Sequence, residues 1–128
     1  MMAAGEVNGV GKIPFKEPRI KAGVVLSPNV PRRHYGKTAA DIAGLYKNIT
    51  IPLFHMTGTQ DGDPMMSAGK TFNPVTRTMP YQAITTADQY LLVLDGATHK
   101  TFGGGAYREL TDGAHQQIVA KGAVLFFD

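Results

Sequence analysis

Three short runs that are apolar almost throughout constrain the fold of this chain more than anything else in it. They are Arg19–Leu26, in which Ile20, Ala22, Val24, Val25 and Leu26 dominate, then Ile51–Met56, and then Gln89–Leu94. Runs of this length without polar alternation read as strands buried on both faces, and such strands belong to parallel sheets covered by helices on each side. The stretches between them carry helical signals. Thr38-Ala-Ala-Asp41 has capping-box form: the threonine oxygen can accept an orphan backbone N–H while the acid three residues on suits the positive helix end. This predicts a short helix over 39–47 with Ile42, Leu45 and Tyr46 as its apolar stripe. Residues 113–127 predict a closing helix, with Ile118, Val119, Gly122, Leu125 and Phe126 recurring at spacings of three and four and Asp112 as N-cap. The order strand, helix, strand, loop, strand, helix indicates an α/β fold with about three parallel strands and covering helices.

The remaining segments read as loops. Residues 5–18 are punctuated by glycine and proline, residues 61–80 hold at most a helical turn, and 95–107 contains the run Gly103-Gly-Gly105. With 128 residues and 43% hydrophobic content, the chain is expected to form one domain over 1–128. The 13 basic residues against 10 acidic ones are dispersed: Lys12, Lys16, Arg19 and Lys21, then Arg32, Arg33 and Lys37, never form a run. Solvated surface is the expectation, and nucleic acid is not an expected partner. No cysteine means no disulfide, thiol nucleophile or thiolate metal site. The start, Met-Met-Ala-Ala-Gly-Glu, lacks the charged region of a signal peptide, and no run approaches the ~18 apolar residues of a membrane span, so a soluble chain is expected.

Two residues carry the chemistry. Asp61 closes Gly58-x-x-Asp61 just past the second apolar run, and His99 follows the third in Leu91-Leu-Val-Leu-Asp-Gly-Ala-Thr-His99. Ligands of parallel sheets sit outside the carboxyl ends of the strands, which is where both fall. An aspartate that accepts a hydrogen bond from one imidazole nitrogen fixes the tautomer and stabilises the imidazolium formed when the other nitrogen takes a proton. Taken singly, each residue has a plainer role: Asp61 can organise a Gly-Asp turn and His99 can bond backbone. Asp63 competes with Asp61 for the acid role, although the turn before Pro64 suits it better. His55 reads as a core histidine, and His34 and His115 as surface residues. One histidine with two carboxylates is a weak metal set, so neither metal nor cofactor is expected. Ser67-Ala-Gly-Lys-Thr71 and Gly5–Lys12 resemble phosphate loops but lack the required first glycine, or the strand and the following Ser or Thr.

Pro18–Pro28, Ile51–Asp61 and Gln89–Phe102 together resemble the C-terminal half of α/β-hydrolases, of the dienelactone-hydrolase-like and platelet-activating-factor-acetylhydrolase-like branch. The resemblance covers about residues 1–127 and implies a partial α/β-hydrolase fold whose last three strands lie near 20, 51 and 90. It implies a serine-type carboxylic ester hydrolase, with Asp61 as triad acid, His99 as triad base and a small-molecule ester as substrate of the complete enzyme. That family also requires Gly-x-Ser-x-Gly. The chain has two serines, Ser27 before a proline at a strand end and Ser67 in Met66-Ser-Ala-Gly, and neither stands in such a turn. The nucleophile is therefore expected upstream of residue 1, leaving this chain inactive alone. The alternative is a non-catalytic binding or interaction module of the same fold, in which the exposed edge of the first strand seeks an upstream polypeptide or a second copy.

Overall fold

The computed structural model describes residues 1–7, 16–62, 73–106 and 113–128. Its centre is a parallel sheet of three strands in the order β1 (Gly23–Leu26), β2 (Leu53–Gln60), β3 (Gln89–Thr98). Helix α1 (Ala39–Ile42) follows β1, α2 (Met79–Ala83) precedes β3, and α3 (Gly113–Phe127) closes the chain.

Alternation along the strands divides the side chains between two cores. Val25 and Leu53 face one side, where Ile42, Tyr46, Ile49, Met79, Ala83 and Ile84 pack. Val24, Phe54, Met56, Leu92 and Leu94 face the other, against Ala97, Phe102, Val119 and Ala123. Burying side chains such as Leu53, Ile42 and Met56 contributes about 1.5–3 kcal/mol each. The sheet is thus covered on both faces, as its apolar strands require.

Several elements differ from the sequence expectation. β1 is only four residues long, because a turn at 18–19 occupies the start of the apolar run. The capping box is present in full, with Asp41 N–H donating to Thr38 Oγ1 at 3.2 Å and Thr38 N–H to Asp41 Oδ2 at 2.9 Å. The helix it starts gives way after Ile42 to a 3₁₀ turn over Ala43–Leu45, with Ile42 and Tyr46 buried. The described end of the expected loop is more helical than expected: a 3₁₀ segment over Pro74–Thr78 runs into α2, started by the Asn73 side chain accepting from Val75 N–H. β3 runs to Thr98 rather than Leu94, and a 3₁₀ helix over His99–Ala106 replaces most of the expected loop. Helix α3 has the expected bounds with a different inner face. Ile118 and Leu125 are exposed, and Val119, Gly122, Ala123 and Phe126 lie against the sheet, Phe126 packing tilted against Phe54 and edge-on to Tyr90. Asp63, Ser67 with its phosphate-loop-like neighbours, Asp112 and residues 8–15 of the first loop lie outside the described residues.

His55 is a core histidine, with no exposed surface, its Nε2 2.7 Å from Gln89 Oε1 and its ring edge-on to Tyr81. Since an amide oxygen only accepts, Nε2 carries the proton, and Nδ1 is buried with no hydrogen-bond partner among the described residues. Burial lowers the His55 pKa from 6.5, against the opposing effect of the Gln89 bond. The unfolded chain therefore takes up a proton near pH 6.5 that the folded chain refuses, and stability falls as pH drops below that value. Urea unfolding between pH 7.5 and about pH 5 should show this loss, with a limiting slope of about 1.4 kcal/mol per pH unit. His55→Gln should flatten it; an unchanged slope would assign the effect elsewhere.

Candidate functional site

Each strand of the sheet ends on a polar residue of the same cluster. Ser27 follows Leu26 of β1, Asp61 follows Gln60 of β2, and His99 follows Thr98 of β3. Parallel topology carries these three chain positions to one edge of the sheet, although 34 and 38 residues separate them in turn.

Simple pairing would not have aligned them. Gly58 pairs with Leu94, so an unbroken register would set Asp61 opposite Ala97. Instead Gln60 pairs with Thr98, because β3 carries two additional residues at a bulge. Gly96 turns this bulge with φ 74, and Thr59 fastens it by donating to Asp95 Oδ1 at 3.0 Å and accepting from Gly96 N–H at 2.8 Å. The two-residue shift brings His99 alongside Asp61. It also presses the backbone of Ala97 onto Gly58, where a Cβ would sit 2.1 Å from Ala97 O. The glycine of Gly58-x-x-Asp61 is thus required by the bulge that aligns the site.

Asp61 is fully buried and its carboxylate is held from several directions. Oδ2 accepts from Thr57 Oγ1–H at 2.8 Å, and Oδ1 accepts from Ser27 Oγ–H at 2.9 Å. His99 Nδ1 lies 2.9 Å from Oδ1 and 2.8 Å from Ser27 Oγ. A carboxylate can only accept, so Nδ1 carries the proton and Nε2 carries the lone pair. The His99 side chain is 39% exposed, and among the described residues none of its hydrogen bonds uses Nε2. The basic nitrogen is therefore the one left for a solvent-side partner. Proton uptake there would create an imidazolium whose Nδ1–H already faces a buried carboxylate.

Arg77, only 2% exposed, lies beneath this pair. Nε donates to Asp61 O at 3.1 Å and lies 3.4 Å from Oδ1. One terminal nitrogen donates to Ser27 O at 3.2 Å and Pro28 O at 3.4 Å, and the other to Gly62 O at 3.2 Å. That second nitrogen is 3.4 Å from His99 Nδ1; with a proton on each, the contact is not a hydrogen bond. The guanidinium fork ties the loops after β1 and β2 together and sets a positive charge beside the Asp61 carboxylate.

The two sequence-predicted residues, Asp61 and His99, meet directly, while Asp63 lies outside the described residues. His55 is on a core-facing position of β2 and pairs with Gln89, and His34 Nε2 accepts from its neighbour Arg33. Sequence reasoning missed Ser27 and Arg77. A signal for Ser27 existed, since it follows its strand as directly as Asp61 and His99 follow theirs. Arg77, 16 residues from Asp61 in a proline- and threonine-rich stretch, offered none. Among the described residues no group of three or more His, Asp or Glu side chains could hold a metal ion, and no helix is long and apolar enough to cross a membrane. No protein-family model, curated protein or solved structure matches the chain.

Proposed function

We propose that this chain supplies the acid and base of a serine-type carboxylic ester hydrolase whose nucleophile lies on another segment. The observation that carries the reading is the buried Asp61 carboxylate 2.9 Å from His99 Nδ1, which leaves Nε2 as a partly exposed base at the carboxyl end of a parallel sheet. In the complete site a serine hydroxyl adjacent to Nε2 attacks the ester carbonyl, and Nε2 takes its proton. Asp61 holds the ring and stabilises the imidazolium, and Nε2 returns the proton to the leaving alcohol. The likeness of Gly58-x-x-Asp61 and Gly-Ala-x-His99-x-x-Phe102 to α/β-hydrolases supports the same assignment.

The isolated chain is expected to resist a serine-directed fluorophosphonate. Joined to the polypeptide encoded immediately upstream, it is expected to be labelled on a serine outside residues 1–128, with the labelling rate falling about 10⁴-fold in Asp61→Asn and at least as far in His99→Ala. Labelling of the joined protein that survives His99→Ala would refute the assignment, as would the absence of any labelled serine.

A second reading, a non-catalytic interaction module, draws on the edge of β1. Gly23 N–H and Ser27 N–H donate to Pro52 O and Met56 O of the β2 side, so Val24 and Leu26, of opposite parity, direct their backbone groups away from the sheet. Among the described residues no strand pairs with that edge, and an open edge favours an added strand from a second polypeptide. Self-association without any labelling in the joined protein favours this module over the enzyme.

A further inference from the structure

Ser27 occupies a backbone conformation that a serine rarely adopts. Its φ of 48 lies in the left-handed region, and Pro28 follows directly. A side chain there crowds its own backbone, and glycine would take the same angles with less strain. Strain at a non-glycine strand end needs an offsetting interaction, and the hydroxyl supplies one.

The hydrogens can be placed by elimination. Asp61 Oδ1, 2.9 Å away, only accepts, so the single hydroxyl hydrogen of Ser27 points to it. His99 Nδ1, 2.8 Å away, already bears a hydrogen for Asp61, so Ser27 Oγ meets it through a lone pair. The Nδ1 proton is thus shared between a carboxylate oxygen and a hydroxyl oxygen that are themselves hydrogen-bonded. The backbone of Ser27 is fixed as well, its N–H donating to Met56 O and its carbonyl accepting from Arg77. Ser27 also lines a cleft of about 440 Å³ with Leu26, Asn29 and Val30, so this opening borders the residue whose hydroxyl touches both members of the acid–base pair.

We infer that Ser27 is a positioning residue for Asp61 and His99. Its hydroxyl locks the carboxylate to the Nδ1 proton and keeps cleft water from competing for either. Ser27 is not itself the nucleophile, because the imidazole nitrogen within its reach is the protonated one. The inference rests on the proposed use of His99 Nε2 as the base, and it adds a third strand-end residue to the site.

Imidazole proton exchange tests it without requiring turnover. In the ¹⁵N-histidine-labelled chain at neutral pH, with His99→Gln identifying the signal, the Nδ1–H of His99 is expected to exchange slowly with water. Ser27→Ala and Ser27→Gly should each speed that exchange at least tenfold while leaving the buried Nε2–H of His55 unchanged. Ser27→Gly, relieved of the backbone strain, should also have the higher urea midpoint of the two, so one variant remains informative if the other folds poorly. Unchanged His99 exchange in either variant would overturn the positioning role, and so would equal acceleration at His55, which would mean general loosening. A wild-type His99 protonated on Nε2 instead of Nδ1 would sink the underlying acid–base reading, a result distinct from both.

Discussion

Arg77→Met should lower the stability of the chain by about 3–5 kcal/mol, the range for breaking a buried charged network by removing one partner. Methionine fills much of the same volume but donates nothing. The carbonyls of Ser27, Pro28, Asp61 and Gly62 would lose their guanidinium donors, and an unsatisfied buried acceptor costs about 1–3 kcal/mol. Asp61 would also lose the cation 3.4 Å from Oδ1, while keeping Ser27, Thr57 and His99. With a urea dependence near 2 kcal/mol per molar, typical of small domains, the midpoint should fall by about 2 M. Arg77→Lys should recover only a minor part, because one ammonium cannot span carbonyls on two loops as the planar fork does. A midpoint within about 0.3 M of wild type for Arg77→Met would show that the fork is not what holds these loops together.

Gly58→Ala should be nearly as severe and should act on the site as well as on stability. The added Cβ would meet the carbonyl oxygen, carbonyl carbon and Cβ of Ala97 at 2.1, 2.6 and 2.7 Å. Two of these atoms are backbone, so no rotamer change relieves the clash. Overpacking costs typically 1–3 kcal/mol where side chains can yield; against a strand backbone we expect the upper end, about 3 kcal/mol. The strands can separate only by opening the pairing between Gly58 and Gln60, the shift that places Thr98 opposite Gln60 and so sets His99 beside Asp61. The variant should therefore also lose the slowly exchanging Nδ1–H of His99. Gly44→Ala is the control: it adds the same methyl where nothing among the described residues beyond its own chain neighbours lies within 4 Å, and it should keep both stability and the imidazole signal. Wild-type behaviour of Gly58→Ala would mean that the close approach of Ala97 is not needed for the site.

Legibility in the sequence followed the range of the interaction. The strands near 20, 51 and 89 were visible because a strand buried on both faces must be apolar at consecutive positions, and Val24 and Val25 face opposite cores as that requires. The Thr38–Asp41 box was readable because a cap is closed by residues three apart. Strand ends were less legible. β2 and β3 extend four residues beyond their apolar runs through Thr57-Gly-Thr-Gln60 and Asp95-Gly-Ala-Thr98, whose backbone pairing and Thr59 bonds carry the strands through Gly58, Asp95 and Gly96, residue types that strands disfavour. Helix α3 had legible bounds, but Ile118 and Leu125 turned out to face away from the sheet. At Gly122 the helix comes so close to Met56 and Phe54 that a Cβ would stand 3.1 Å from the methionine, and this contact sets the inner face.

Asp61 and His99 could be singled out from the sequence alone because each follows an apolar strand and each is a residue type with acid–base chemistry. Sequence by itself therefore placed these two groups at the carboxyl end of the sheet. Only the tertiary structure decided that they touch, since their alignment depends on a two-residue bulge in β3 whose register no local pattern encodes. It likewise decided that Ser27, dismissed for lacking a strained turn motif, sits at a positive φ with its hydroxyl against both, and that Arg77 closes the cluster from below. Both are long-range placements, made by strand pairing and by the demand that buried carbonyls and a buried carboxylate find donors, and that demand appears only once the chain has folded around them.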